Sequence, residues 1–173
     1  MKKTAIVYWL LPAKPEHELF CSMIRILRKA FNAPNFEPHL TLFVTGRERP
    51  TPKQVLKQLR ARRVRLTTRG VAFSPKFTKT LFLRLKSSPE LRGLATEVSR
   101  AAQSSTKGPK DPHVSLLYKK LPRASQKELA AVMRLPFRTV VFDSIAAVRL
   151  SLPVRNGADV AKWKIVARKS LRR

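Results

Sequence analysis

Two pentapeptides, Pro38-His39-Leu40-Thr41-Leu42 and Pro112-His113-Val114-Ser115-Leu116, share one pattern: proline, histidine, aliphatic residue, hydroxyl residue, leucine. They lie in different halves of a 173-residue chain and contain two of its three histidines. A single His-x-Thr/Ser tripeptide would be weak evidence, because a pattern this short often occurs by chance. Two matches at all five positions indicate a repeated structural unit with a shared role.

Both pentapeptides alternate apolar and polar residues, which is typical of a β-strand. Because residues i and i+2 of a strand point to the same face, Leu40, Leu42 and Val44 are predicted to face a core. His39 and Thr41 then share the opposite surface, and the second pentapeptide predicts the same for its histidine and serine. Each proline suits the first position of a strand, since it has no N–H to donate to a sheet. The alternative interpretation is two ordinary strands whose polar faces happen to repeat.

Two imidazoles and two hydroxyls on one cleft suit acid–base chemistry at phosphorus. The unperturbed histidine pKa is about 6.5, so of His39 and His113 one can accept a proton from water while the other donates one to a leaving oxygen. Thr41 and Ser115 can donate hydrogen bonds to phosphoryl oxygens, on which negative charge grows in the transition state. These four residues are the predicted catalytic set, and the predicted reaction opens a cyclic phosphate.

The residue types that bind metals are poorly placed for a metal site. The 10 acidic residues are scattered among 37 Lys and Arg, and Cys21 is the single cysteine. Neither motif histidine has a ligand partner at a useful spacing. The sequence therefore predicts a reaction that uses no metal and no cofactor. Cys21 is predicted to pack rather than to act as a nucleophile, and His17 is predicted to be a surface residue.

The paired motifs resemble those of the two-histidine (2H) phosphoesterase superfamily, which includes RNA cyclic phosphodiesterases and 2′-5′ RNA ligase-like proteins. Within it, the chain most resembles the plant-type and yeast-type cyclic phosphodiesterases, which act on ADP-ribose cyclic phosphate and 2′,3′-cyclic nucleotides. The likeness includes Trp9-Leu10-Leu11-Pro12, Phe36-Glu37-Pro38-His39, Ser88-Pro89-Glu90, His113-Val114-Ser115-Leu116-Leu117-Tyr118 and Trp163. It therefore spans nearly the whole chain.

This resemblance implies a metal-independent hydrolase that converts a ribose cyclic phosphate to a phosphomonoester. It implies that His113 is the base that activates water and that His39 is the acid at the leaving oxygen. Two other functions stay open. One is RNA end processing or 2′-5′ RNA ligation, and the other is a basic RNA-binding protein without turnover. Binding alone does not need both histidines, which argues against the last.

Length and composition agree with one domain over residues 1–173, each half supplying one histidine strand. The chain is 43% hydrophobic, which is enough for a sizeable core. The first apolar run stops at Pro12 and has no small-residue cleavage site, so residues 5–11 are predicted to form a strand rather than a signal peptide. With one cysteine and no run long enough to span a membrane, we expect a cytoplasmic monomer without a membrane partner.

The predicted fold class is α+β, a single two-lobed domain. Two antiparallel sheets face a central cleft, helices lie outside, and the halves are related by a pseudo-twofold axis. Predicted helices cover residues 16–31 and begin at Thr51-Pro52, at Ser88-Pro89 and at a capping box of Ser125 with Glu128. The remaining strands are predicted at residues 63–73, 80–86, 137–151 and 159–168, with a loop at residues 103–111.

The net charge of +27 attracts polyanions and makes their binding dependent on salt. A small cyclic-phosphate nucleotide is the predicted substrate, and this charge adds RNA as a second candidate partner. The other interpretation of the charge is an ordinary solvated exterior. The basic residues form two groups: Lys57, Arg60, Arg62, Arg63, Arg65 and Arg69, and Lys162, Lys164, Arg168, Lys169, Arg172 and Arg173.

Three aromatic residues are candidates for binding the base of a nucleotide: Trp9, Phe43 and Tyr118. Trp9 suits the core equally well. Phe43 is predicted to share the face of the histidine and threonine of the first motif. Strand alternation places Tyr118 opposite the histidine of the second motif, so it reaches the cleft only if the strand ends or twists after Leu117.

Overall fold

The computed structural model of the protein describes residues 1–105 and 108–172. Within them, seven strands and five helices follow one another. The strands are β1 (Lys3–Pro12), β2 (Leu40–Thr45), β3 (Val64–Phe73), β4 (Leu81–Leu85), β5 (His113–Leu117), β6 (Thr139–Leu152) and β7 (Lys164–Ser170). The helices are α1 (Glu16–Phe31), α2 (Pro52–Gln58), α3 (Pro89–Ala101), α4 (Arg123–Val132) and α5 (Gly157–Val160). Part of the predicted loop at residues 103–111 and the last residue of the second basic group, Arg173, lie outside the described residues.

The α+β prediction is confirmed, and the strand pairs of the described chain are antiparallel. The strand order is β1-β2-β5-β4-β3-β6-β7, with a further pairing of β1 with β6. The two predicted sheets are the two parts of this one sheet: β7, β6, β1 and β2 form one part, and β5, β4 and β3 form the other. The 14-residue strand β6 runs through both parts, pairing first with β3 and then with β1 and β7.

One face of the sheet packs against α1, α2 and α3 and forms the helix-side core. The opposite face, here called the cleft face, carries a smaller apolar cluster. Strand β1 contributes to both: Tyr8 and Leu10 point into the helix-side core, while Val7, Trp9 and Leu11 point to the cleft face. Burial on both faces explains why β1 is a continuous apolar run rather than an alternating one.

Two predicted helix starts are confirmed. Thr51 caps α2 in a reciprocal capping box with Gln54, and the Ser88 side chain accepts a hydrogen bond from the Leu91 backbone N–H of α3. In both helices a proline occupies the first turn, where its missing N–H has no intrahelical partner to lose.

Two predicted boundaries are wrong. Helix α4 begins at Arg123 after Pro122, so Ser125 lies inside the first turn instead of capping it. The fixed φ of proline sets up the helical turn three residues early, with Pro122 instead of Ser125 at the N-cap, and the Gln126 N–H donates to the Pro122 carbonyl. The last strand begins at Lys164 rather than at residue 159, because the Asn156 side chain caps the short helix α5.

No helix in the described part of the chain is both long enough and apolar enough to cross a membrane.

Candidate active site

The two histidine motifs meet at one bridge between the two parts of the sheet. Leu40 of β2 pairs with Val114 of β5 in an antiparallel register. That register places His39 across from Ser115 and Thr41 across from His113. Both bridge residues are fully buried in the helix-side core, so the motif side chains are turned to the cleft face. A register slip of one residue would turn the same side chains into the core.

All four predicted catalytic residues line one cavity of about 290 Å³ on the cleft face. The apolar part of its lining comes from the cleft-face cluster and from three aromatic rings. Its polar part comes from the two motifs and from the segment between β3 and β4. The lining residues are Val7, Trp9, His39, Thr41, Val44, Lys76, Thr78, Lys79, His113, Ser115, Tyr118, Leu150, Leu152, Val154 and Trp163.

His39 is held on two sides. Its Nδ1–H donates to the Glu37 backbone carbonyl at 2.6 Å, and its ring stacks on Trp9 with centroids 3.7 Å apart. In the neutral ring this tautomer makes Nε2 the basic nitrogen. The residue is 6% exposed, and burial lowers the pKa of His39 to about 4. The hydrogen bond to the Glu37 carbonyl opposes this pKa shift, and His113 nearby adds to it.

His113 repeats the arrangement in the other motif. Its Nδ1–H donates to the Asp111 backbone carbonyl at 2.8 Å, and the edge of Phe82 lies against its ring. His113 is half-buried, and burial lowers its pKa. The hydrogen bond to Asp111 opposes that pKa shift, whereas the Lys79 and Lys76 ammonium groups add to it. Both histidines therefore present Nε2 for chemistry, and both are neutral at neutral pH in the free protein.

A carboxylate two residues before each histidine anchors the supporting turn. The Glu37 carboxylate accepts a hydrogen bond from His17 Nε2 at 2.6 Å, and the Asp111 carboxylate pairs with Lys79 Nζ at 2.6 Å. His17 is thus a half-buried supporting residue, and the prediction that it is a surface residue is wrong. The sequence did hold a signal for this, since an acidic residue followed by proline precedes each histidine.

The two hydroxyls differ in their partners. Ser115 Oγ donates to the Thr78 carbonyl at 2.9 Å, and the residue is 5% exposed. The Thr41 hydroxyl is half-buried in the cavity lining and has no hydrogen-bond partner among residues 1–105 and 108–172. Thr41 can therefore donate to a ligand at once, whereas Ser115 must first release the Thr78 carbonyl.

Two of the three candidate aromatic residues line the cavity. Trp9 supports His39 as described above. Strand β5 ends at Leu117, so Tyr118 turns to the cavity side, where it stacks on Phe36 with centroids 3.8 Å apart. Burial raises the pKa of Tyr118 well above its usual value, so its hydroxyl keeps its proton.

The prediction that Phe43 shares the face of the first motif is wrong. Strand β1 pairs Tyr8 with Phe43 and the next residue, Trp9, with Thr41, so Leu42 has no partner on β1. This extra residue is a β-bulge, which breaks the alternation of side chains. Phe43 consequently lies in the helix-side core beside Tyr8. Val44, predicted to face the core, lines the cavity instead.

The segment between β3 and β4 supplies cavity residues that sequence patterns could not reveal. Lys76, Thr78 and Lys79 reach the site only because β4 pairs with β5. Lys79 Nζ also lies 4.4 Å from the centroid of the Phe82 ring. The two lysines add positive charge to a cavity whose described lining includes no carboxylate.

Cys21 is not among the described residues that line the cavity. Cys21 Sγ lies 3.8 Å from His17 Nδ1, and burial raises the pKa of its thiol, which makes it a poor nucleophile. Across the described residues, no group of three or more His, Cys, Asp or Glu side chains could hold a metal ion.

The chain is similar to known proteins along most of its length. The profile of the 2′-5′ RNA ligase superfamily matches residues 15–152, which contain both histidine motifs. A cyclic phosphodiesterase of Arabidopsis thaliana is 27% identical over 132 residues, which are 73% of this chain and 72% of that protein.

Two crystal structures illustrate the likeness in fold. A phosphoesterase superposes with a TM-score of 0.64 at 18% identity, over 98% of this chain and 99% of its own. E. coli LigT in complex with 3′-AMP superposes with a TM-score of 0.59 at 16% identity, over the full length of both chains. The overall fold is therefore shared with these proteins.

Proposed function

Since this chain belongs to the 2′-5′ RNA ligase superfamily, the 2H phosphoesterases, we propose that it is a cyclic phosphodiesterase that needs no metal ion. Its substrate would be a 2′,3′-cyclic nucleotide or ADP-ribose cyclic phosphate, and its product a phosphomonoester. The cyclic phosphodiesterase of Arabidopsis thaliana supports this choice within the superfamily. The observation that carries the proposal is the Leu40–Val114 bridge, which brings two oriented imidazoles to one cavity.

In the proposed reaction, water attacks phosphorus as one P–O bond of the ring breaks. His113 Nε2 accepts the proton of the attacking water, and His39 donates its Nε2 proton to the departing ribose oxygen. One oxygen–phosphorus bond forms and one breaks, and the pair of histidines exchanges one proton for another. Thr41 and Ser115 would donate hydrogen bonds to the two non-bridging oxygens as their charge increases.

In the active state of this mechanism, both histidines keep the proton on Nδ1, and of the two Nε2 atoms only that of His39 carries a proton. In the free protein His39 is the more easily deprotonated of the two, because it is the more deeply buried. An anionic phosphodiester beside the rings favours the imidazolium form. The substrate therefore raises the pKa of His39 and lets it take up the proton that it later donates.

This gives a prediction about pH dependence. Because both histidine pKa values are lowered in the free protein, we expect the bell-shaped profile of kcat/KM to reach its maximum below the ordinary histidine pKa of about 6.5. The profile of kcat, which reports the substrate complex, should reach its maximum at higher pH. Initial rates over a pH series at constant ionic strength measure both. Coinciding maxima would show that substrate does not raise the histidine pKa values.

The assignment of base and acid is tested by changing the leaving group. A nitrophenyl phosphodiester releases a phenolate that needs no proton, so an enzyme without its general acid should still cleave it. We expect His39→Ala to lose much less activity on this ester than on a cyclic nucleotide, and His113→Ala to lose activity on both. The opposite pattern of rescue would exchange the two roles.

A second candidate function is the processing of RNA ends, and the position of arginines on the sheet favours it. The strand neighbours of Arg65 and Arg84 belong to the helix-side core, so both arginines lie on the cleft face. Arg84 pairs with His113 across β4 and β5, and Arg65 lies on the next strand along. With Arg63 and Arg69 also exposed, RNA could contact the cleft face beyond the cavity.

Hydrolysis of a substrate panel separates these functions. The purified protein would be incubated with EDTA and, separately, with 2′,3′-cyclic nucleotides, ADP-ribose cyclic phosphate, cyclic-ended oligonucleotides and oligonucleotides with free ends. We expect the protein to convert small cyclic phosphates to monoesters with the chelator present. Joining of free ends would favour the ligase, and binding of RNA without turnover of any substrate would favour the RNA-binding protein.

A further inference from the structure

A second cavity, of about 730 Å³, adjoins the candidate active site. It lies among the loop that follows α1, the loop between β5 and α4, and the segment between β6 and α5. It is here called the outer groove. Its lining residues are Asn32, Ala33, Pro34, Asn35, Phe77, Lys119, Lys120, Arg155, Asn156, Gly157 and Ala161.

The outer groove and the active cavity share a wall. Three chain segments contribute residues to both spaces. In each segment one residue lines the active cavity and its neighbour in the chain lines the outer groove. These pairs are Thr78 and Phe77, Tyr118 and Lys119, and Val154 and Arg155. Consecutive Cα atoms are about 3.8 Å apart, so the two spaces lie within a few ångströms of each other. Tyr118 and Phe77 are also in contact through their rings, with centroids 6.1 Å apart.

The charge of the outer groove suits an anion. Its described lining includes three cationic side chains and no carboxylate. Lys119 Nζ donates to the Asn32 carbonyl, but the side chains of Lys120 and Arg155 are exposed and have no hydrogen-bond or ion-pair partner within the described ranges. The half-buried ring of Phe77 adds a surface on which a base can stack. Positive charge for the phosphate and an aromatic face for the base are together what the binding of a nucleotide requires.

The sizes of the two cavities indicate how a substrate would divide between them. Sites for small ligands usually measure about 300–1,000 Å³, and the active cavity at about 290 Å³ lies at the lower limit. It has room for the cyclic phosphate with its own nucleoside and little else. The outer groove at about 730 Å³ has room for a further nucleotide.

From these observations we propose that the outer groove binds the nucleotide on the 5′ side of the ribose that carries the cyclic phosphate. The substrate is then the 3′ end of an RNA strand. Lys120 and Arg155 contact the phosphodiester that links the last two nucleotides, and Phe77 stacks on the penultimate base. This inference rests on the proposed cyclic phosphodiesterase activity, because it places the terminal ribose in the active cavity.

The test compares two ligands that are not hydrolysed, 3′-AMP and the dinucleotide adenylyl-adenosine 3′-phosphate. Titration at constant ionic strength gives a Kd for each with the wild-type protein. We expect the dinucleotide to bind at least about tenfold more tightly, since one charge-assisted phosphate contact is worth about that factor. In Lys120→Gln/Arg155→Gln the ratio of the two Kd values should fall towards one.

A matched control removes the same charge elsewhere. Arg65→Gln/Arg69→Gln also loses two exposed cations, but from β3, and should keep the wild-type Kd ratio. If this control loses the wild-type Kd ratio and the groove variant keeps it, the RNA passes over β3 instead of through the outer groove, and the proposal is overturned. Equal Kd values for the two ligands in the wild-type protein would also overturn it.

Two further measurements distinguish an RNA site from a pyrophosphate site and the groove proposal from the proposed activity. If ADP-ribose cyclic phosphate binds more tightly than the dinucleotide and loses affinity in the groove variant, the groove is a pyrophosphate site and the RNA proposal is wrong. Hydrolysis of adenosine 2′,3′-cyclic phosphate is measured in parallel. Hydrolysis without a dinucleotide preference overturns the groove proposal alone, and a dinucleotide preference without hydrolysis overturns the proposed activity alone.

Discussion

Replacing either cavity histidine should abolish most of the turnover while leaving the fold in place. General acid–base groups contribute about a hundredfold to ten-thousandfold each, so we expect His39→Ala and His113→Ala to lower kcat by at least that much. Their Nε2 atoms are the proton carriers of the proposed mechanism, and the described lining of the cavity includes no carboxylate that could replace them. Steady-state kinetics on a 2′,3′-cyclic nucleotide measures the loss.

The control for this experiment concerns packing. His39 stacks on Trp9 and is buried, so alanine leaves a void that lowers stability as well as activity. His39→Gln keeps more of the side-chain volume and separates the two effects. His113 is half-buried, and its alanine variant should melt close to the wild-type temperature. The double variant should be little slower than either single variant, because the two histidines act as a unit. Near-normal turnover in a folded single variant would remove the mechanism.

Removing either hydroxyl should lower kcat by about a hundredfold, which is the usual cost of losing one donor to a developing oxyanion. The effect on stability should differ between the two residues. The Thr41 hydroxyl has no partner in the described chain, so Thr41→Val should leave the melting temperature nearly unchanged. Ser115→Ala leaves the Thr78 carbonyl without its donor, which costs about 1–3 kcal/mol of folding free energy if that carbonyl stays dry.

The hydroxyl experiment has matched controls in the motif itself, which carries threonine in one half and serine in the other. Thr41→Ser and Ser115→Thr keep the donor and should retain most of the activity. An unchanged rate in Thr41→Val together with a large drop in melting temperature would reassign Thr41 as a structural residue.

The convergence of the two motifs could be predicted from the sequence because the side chains of a β-strand point alternately to its two faces. Once Leu40 and Val114 are buried, His39, Thr41, His113 and Ser115 must lie on the other face, so the four motif residues converge wherever the two strands meet. The same local rules predicted the starts of α2 and α3, since a hydroxyl cap and a proline act within one turn of helix.

The same rules failed where the backbone departs from regular geometry. The β-bulge at Leu42 turns Phe43 into the core and Val44 into the cavity, and no residue in that run signals the extra residue. Tyr118 reaches the cavity because β5 ends at Leu117, a boundary that periodicity does not define.

Contacts between side chains of distant segments also could not be predicted from the sequence. Lys79 meets Asp111, and His17 meets Glu37, only through the pairing of strands and the packing of α1. Both pairs anchor the carbonyls that orient the histidines. Each cavity imidazole is therefore supported by a residue whose carboxylate is held in place by a contact from a distant segment.

If the two cavity histidines hydrolyse a ribose cyclic phosphate, an oxygen atom of water must enter the product, and oxygen-18-labelled water follows that atom. The purified protein is incubated with adenosine 2′,3′-cyclic phosphate and EDTA in labelled water, and the product is examined by phosphorus NMR and mass spectrometry. With the wild-type protein we expect a phosphomonoester that carries one labelled oxygen, and with His39→Gln or His113→Ala we expect this labelled product to be lost. Unconverted cyclic phosphate with the wild-type protein, or equal labelling by the histidine variants, would show that the two histidines do not carry out this hydrolysis.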